Sequence, residues 1–238
     1  MTVDTKKLRA KVASSSPEMR RQAVMEMAGS FSNETMELLI EALDDEDWRV
    51  RKEASSVIAR MAREPVVVSR LLEALEQEEV GLRNAAAQAL VEAGEDSIQM
   101  TIDRLATMGA SSRQLALDVL SNSKDERAIK ALVEALEDAD VNVRVCAAEG
   151  LGKQGGVAAE QGLLQCLLSS DRLIRLTVLQ SLNGLECAIP WRLLEPLWED
   201  KIYGDELVLA LGRSGAKEAI SLISSQLSQN PVAAARSE

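Results

Sequence analysis

Apolar and polar positions along this chain repeat with a period close to 31 residues, marked by an arginine at Arg20, Arg51, Arg83, Arg113, Arg144 and Arg175. Three residues after each stands a small side chain: Ala23, Ala54, Ala86, Ala116, Ala147 and Val178. Seven residues after it comes a large apolar one: Met27, Ile58, Leu90, Leu120, Leu151 and Leu182. One residue before it stand Met19, Val50, Leu82, Ser112, Val143 and Ile174. Offsets of −1, +3 and +7 share one face of a helix, which places each arginine in the first turns of an amphipathic helix. Two upstream series predict an earlier helix in every repeat. They are Val12, Leu43, Leu75, Leu105, Leu136 and Leu167, and, four residues before those, Leu8, Leu39, Leu71, Thr101, Leu132 and Leu163. Each repeat therefore reads as a helical hairpin. A self-similarity of this length marks a solenoid, whose units bury their apolar faces only by stacking on neighbours.

The junction between the two helices has its own chemistry. Four residues before the arginine come Ser16, Asp47, Glu79, Gly109, Asp140 and Asp171. Serine and aspartate accept hydrogen bonds from the free amides of a helix start, and an acid there suits the helix dipole. Pro17, directly after Ser16, fits the first helical position, where no amide donor is needed.

The pattern breaks in two places. The fourth repeat lacks both junction acids and carries Thr101, Ser112 and the stretch MGASS at 108–112. It reads as the least regular junction, either a bend or ordinary drift. A seventh hairpin is recognisable because ALGRSG at 210–215 echoes GLGKQG at 150–155, but it places Gly204 where the arginine would stand. A capping repeat accounts for that change, and a longer array would look the same. A lone helix is predicted near 216–228. The expected organisation is one array over 1–229, with 230–238 as a flexible tail or linker.

At this point a family resemblance enters. The segment from Asp125, DERAIKALVEALEDADVNVRVCAAEGLGKQGG, and the segment LLIEALDDEDWRVRKEASSVIARMA resemble short HEAT repeats of the phycobilin-lyase-like type. The resemblance runs from about Asp4 to about Gln229 and implies an all-α fold, a right-handed α-solenoid of about seven hairpins plus the terminal helix. It also implies that recurrent Asp and Arg form a ladder between adjacent repeats; Asp45, Asp138 and the six arginines match it. The family includes scaffolds, chromophore lyases and chaperone-like factors, so the fold does not settle the function.

Composition narrows the choices. The net charge of −11 works against nucleic acid, whose binders need a basic track. The absence of histidine removes the commonest general acid–base and metal ligand, and with it the histidine-ligated di-iron hydroxylases of the HEAT class. Cys146, Cys166 and Cys187 match no zinc spacing and read as free thiols of a reducing cytosol. No phosphate loop, nucleophile elbow or metal signature is present. No apolar run is long enough to span a membrane, and the start MTVDTKKLRAK has no signal-peptide core. The expectation is a cytoplasmic, bacterial protein without catalytic activity, metal or cofactor, its oligomeric state left open.

Second helices line the concave groove in this repeat class, and the groove-facing positions lie at −3, −2, +1 and +5 from the arginine. The expected partner-binding residues are Trp48, Arg49, Lys52, Val80, Asn84 and Gln88, then Val141, Val145, Glu149, Leu173, Leu176 and Ile202. Apolar side chains aligned along an exposed groove mark partner binding, whereas some of them would instead tuck into repeat interfaces. Trp191, Trp198 and Tyr203 are expected to close the end of the core, and the arginine ladder to be structural. The reading is a scaffold or adaptor for a protein or peptide partner, with no nucleic acid and no membrane, possible settings being signalling or complex assembly. The alternative is a lyase-like factor acting on a chromophore–protein pair, which predicts a new absorbance band with bilin.

Overall fold

The repeated apolar series are the core. In the computed structural model, which describes residues 5–29, 31–169 and 171–229, all six residues at +3 and all six at +7 are fully buried. So are Leu39, Leu71, Thr101, Leu132 and Leu163 at the start of the repeat, and Leu8 is 2% exposed. Met19 departs from its series at 47% exposed.

The chain divides into two compact units between Ala131 and Leu132. The first holds four hairpins: α1 (Thr5–Val12) with α2 (Pro17–Met27), α3 (Asn33–Leu43) with α4 (Trp48–Arg60), α5 (Pro65–Ala74) with α6 (Val80–Ala93), and α7 (Glu95–Leu105) with α8 (Ala110–Ser121). First helices pack on first helices (α1 on α3, α3 on α5, α5 on α7), and second helices on second (α2 on α4, α4 on α6, α6 on α8). This gives two helical layers with the aliphatic core between them.

Helix α9 (Glu126–Ala135) spans the division. The second unit continues with α10 (Val141–Gln154), α11 (Val157–Cys166) and α12 (Arg172–Gly184). Its last hairpin is abbreviated. A four-residue α13 (Trp191–Leu194) and a 3₁₀ turn (Glu195–Leu197) replace the first helix, and a second 3₁₀ turn (Lys201–Tyr203) leads into α14 (Gly204–Ser214). The lone α15 (Lys217–Gln229) follows, where the sequence places it. No strand occurs among the described residues. The fold is all-α, of the solenoid class; the expected tail 230–238 lies outside the described residues.

Helix starts follow the junction chemistry in part. Asp47 accepts from the amide of Arg49, Asp140 from Asn142 and Val143, and Asp171 from Leu173 and Ile174. Ser16, Glu79 and Gly109 make no side-chain cap. In the irregular fourth hairpin every buried hydroxyl has found a carbonyl. Thr101 donates to Ser97 at 2.9 Å, Ser97 to Leu90 at 3.0 Å, and Ser112 to Leu75 at 3.0 Å. Polar residues at these apolar positions therefore leave the core intact, because each donor is satisfied.

Helix ends use a left-handed residue at a fixed register. Gly94 and Gly155 lie eleven residues after their arginines, with φ of 61° and 70°. Glu186 holds the same place after Arg175 with φ 57°, where a Cβ is disfavoured. Glu186→Gly is expected to stabilise the second unit by about 1 kcal/mol, read as a higher urea midpoint. An unchanged or lower midpoint would show that the turn carries no strain.

Candidate functional site

The arginine series is the most ordered polar feature of both units. Each arginine stands in the first turn of a second helix, and five of the six, all but Arg175, reach back with the side chain to carbonyls of the segment that joins it to the first helix. In the first unit Arg51 donates to the carbonyls of Asp45 (2.6 Å) and Glu46 (3.1 Å), Arg83 to Leu75 (3.0 Å), and Arg113 to Met108 (2.7 Å). In the second, Arg144 donates to Asp138 (2.8 Å) and Ala139 (3.2 Å). Contacts between repeats are added to these. Arg20, only 6% exposed, holds both oxygens of Asp45 at 2.7 and 2.8 Å and also meets the carbonyl of Ser14. Arg83 reaches Ser111 at 2.5 Å, and Arg144 approaches Asp171 at 3.5 Å.

The ladder expected from the resemblance is thus present at Arg20–Asp45, while much of the series binds backbone of its own hairpin. Asp45 and Asp138 also accept amides two residues on, from Asp47 and Asp140, both at 2.8 Å. Burial pushes the Asp45 carboxyl up, but the hydrogen bonds from Arg20 and the Asp47 amide outweigh it and leave the pKa lowered. All of this is architecture.

Arg175 differs from the rest. Its guanidinium lies 5.6 Å from the centre of the Tyr203 ring, and Tyr203 is 1% exposed. Tyr203 therefore closes the core as expected, whereas Trp191 and Trp198 remain half-buried. Sequence reasoning missed Asp200, which sits four residues before Gly204 and fills the junction-acid position. Its side chain accepts from the Ile202 amide and pairs with Arg172 of the preceding hairpin. The hydrogen bond from Arg172 lowers the Asp200 pKa despite partial burial.

The outward faces of the second helices carry the candidate partner surface, and each unit has its own. On the first, Trp48 is 62% and Val80 65% exposed. Both stand three residues before their arginines, on neighbouring helices α4 and α6, so they occupy equivalent places in adjacent repeats. Lys52, Asn84 and Gln88 are exposed beside them. Arg49 is exposed but engaged: its hydrogen bonds to Asp47, first from the side chain and then from the amide, hold that carboxyl down to about 2.

On the second unit Leu173 (48%), on α12, and Ile202 (50%), in the 3₁₀ turn that leads into α14, are exposed two residues before Arg175 and Gly204. Glu149 is exposed as well. Val141, Val145 and Leu176 are half-buried. Their rims face solvent while their inner surfaces belong to the packing between repeats, so they are poorer probes of binding than the fully outward residues.

Catalytic chemistry has few materials here. Among the described residues no group of three or more acidic or sulfur side chains could hold a metal ion. The three cysteines are half-buried and form no disulfide; burial raises the thiol pKa of Cys166 and of Cys187. No helix among the described residues is long and apolar enough to cross a membrane.

Comparison with known proteins identifies the repeat. The family model for HEAT repeats matches residues 5–91 and 98–183. Among solved structures, the YibA protein of Escherichia coli is 15% identical, over 94% of this chain and 86% of that one, with a TM-score of 0.50. Human deoxyhypusine hydroxylase in complex with glycerol is 18% identical, over 76% and 84%, with a TM-score of 0.44. The complex of CpcE and CpcF of phycocyanin lyase from Nostoc sp. PCC7120 is 19% identical, over 94% of both chains, with a TM-score of 0.37. No curated protein matches the chain. At such identities the likeness to solved structures concerns the fold alone.

Proposed function

The chain belongs to the HEAT-repeat family, and from that premise we propose that it is a non-catalytic scaffold or adaptor that receives a protein partner on the outward faces of its second helices. The observation that carries this reading is the pairing of exposed apolar residues at matching offsets in the repeat register, Trp48 with Val80 and Leu173 with Ile202. Isolated exposed aliphatics are ordinary, but rows of them in register form a surface that water covers poorly and a partner covers well. Trp48 adds an aromatic of the type that dominates binding energy at interfaces. Exposed Lys52, Asn84 and Gln88 supply a polar rim around the first pair. A cytoplasmic, bacterial setting fits a chain whose three cysteines form no disulfide.

A pull-down from native lysate tests the proposal, comparing the parent with Trp48→Glu/Val80→Glu and with Leu173→Glu/Ile202→Glu. All four positions are exposed, so both variants should keep the parent circular dichroism. The expected result is a specific partner whose recovery falls on the order of tenfold with at least one variant, as for loss of a central apolar contact. Equal recovery by parent and both variants would reject the second-helix faces as the binding surface.

A further inference from the structure

The first unit has a second surface whose chemistry differs from that of the second helices. Between α3 and α5 lies an open cavity of about 320 Å³. Its apolar lining comes from Met36 and Ile40 on α3, Ala74 on α5 and Leu82 on α6. Met36 and Ala74 are each 3% exposed and Ile40 and Leu82 are half-buried, so the cavity meets the hydrophobic core rather than a polar surface.

Its rim is acidic. Glu73 is paired with Arg70 at 3.2 Å, which accounts for the one cation lining the cavity. Glu37 and Glu41 line the other side, are exposed, and have no ion-pair partner among the described residues. They stand four residues apart, one above the other on the same face of α3. The result is an apolar depression beside two uncompensated negative charges.

From this geometry we infer that the α3–α5 cavity binds a basic amphipathic segment of a partner protein, with an apolar side chain seated on Ile40 and Leu82 and lysine or arginine beside it pairing with Glu37 and Glu41. The charge selects the occupant. Nucleic acid would meet repulsion at the rim, and a second copy of this chain carries the same net charge of −11. A polyamine or a purely polar cation would satisfy the rim and leave the apolar floor wet. This site is separate from the second-helix face and does not rest on it.

The test uses the full chain and a fluorescein-labelled peptide of leucine and lysine with the leucines on one helical face, followed by fluorescence anisotropy. A serine–lysine peptide of equal length and charge is the comparison. The leucine–lysine peptide is expected to bind saturably, one to one, and more weakly as salt is raised. Glu37→Gln/Glu41→Gln should weaken it about tenfold, as expected for two rim ion pairs, and Ile40→Gln should weaken it as well. Trp48→Glu/Val80→Glu should leave it unchanged. No saturable binding, equal binding of the serine–lysine peptide, or indifference to the Glu37/Glu41 change would each overturn the assignment. Loss only in the Trp48/Val80 variant would place the peptide on the other face and overturn it too.

Discussion

Tyr203→Ala is expected to destabilise the second unit by about 3–5 kcal/mol, the range for removing a buried large aromatic side chain. Tyr203 is 1% exposed, occupies the −1 core position of the last hairpin, and stands beneath the Arg175 guanidinium. Its loss opens a cavity where a four-residue helix and two 3₁₀ turns already replace a full first helix, so little nearby can collapse to fill it. It also leaves Arg175 without the ring, a contact worth about 0.5–1 kcal/mol more. Tyr203→Phe keeps the ring and should keep most of the stability. Fluorescence-detected urea unfolding reads this unit well, because Trp191 and Trp198 are half-buried in it while Trp48 lies exposed in the other. A loss below about 1 kcal/mol for the alanine variant would show that the last hairpin does not depend on this side chain.

Gly152→Leu should cost about 3 kcal/mol in the same unit, through overpacking rather than a cavity. Even a single Cβ at Gly152 would lie 2.8 Å from Ser181 Cβ and 3.2 Å from its Cα, so α10 and α12 would have to move apart. The hydrogen bond from Ser181 to the Ala148 carbonyl, 3.0 Å, sits at this contact and would be strained with it. Gly184 makes the control, since a Cβ there meets nothing within 4 Å. Gly184→Ala should be neutral or slightly stabilising, as alanine is the better helix former. Equal destabilisation by both changes would mean that backbone freedom, not close approach, decides the Gly152 effect.

These two positions show where the sequence was sufficient and where it was not. The hairpins, their order and the terminal helix were legible because burial imposes a period, and residues such as Ala54, Ile58 and Leu39 have only one face on which to satisfy it. The arginine register was equally plain, yet Arg51, Arg83 and Arg113 each bind a backbone carbonyl, a group with no sequence identity to recognise. Asp200 stands at the junction-acid position of the Gly204 register and was legible there, but its pairing with Arg172 of the preceding hairpin was not, because spacing within one hairpin does not show which side chain reaches it from the next. Val145 and Leu176 could not be separated from Leu173 by spacing alone. A residue one place after the arginine lies at the edge of the buried stripe, and how far it is covered depends on the neighbouring helix. The α3–α5 cavity arises from how side chains of two hairpins fail to fill the space between them, which no single helix pattern contains.

The central claim is that the outward face of the second helices is where a partner sits. A photo-crosslinking amino acid placed at position 80, on that face, and in parallel at position 66, the exposed Val66 on α5, tests it most directly within one unit. The account predicts that position 80 captures a discrete partner in the native lysate, that the same species is absent from the position 66 sample, and that added Trp48→Glu abolishes it. Equal capture from both positions, or capture at position 80 that survives Trp48→Glu, would contradict it.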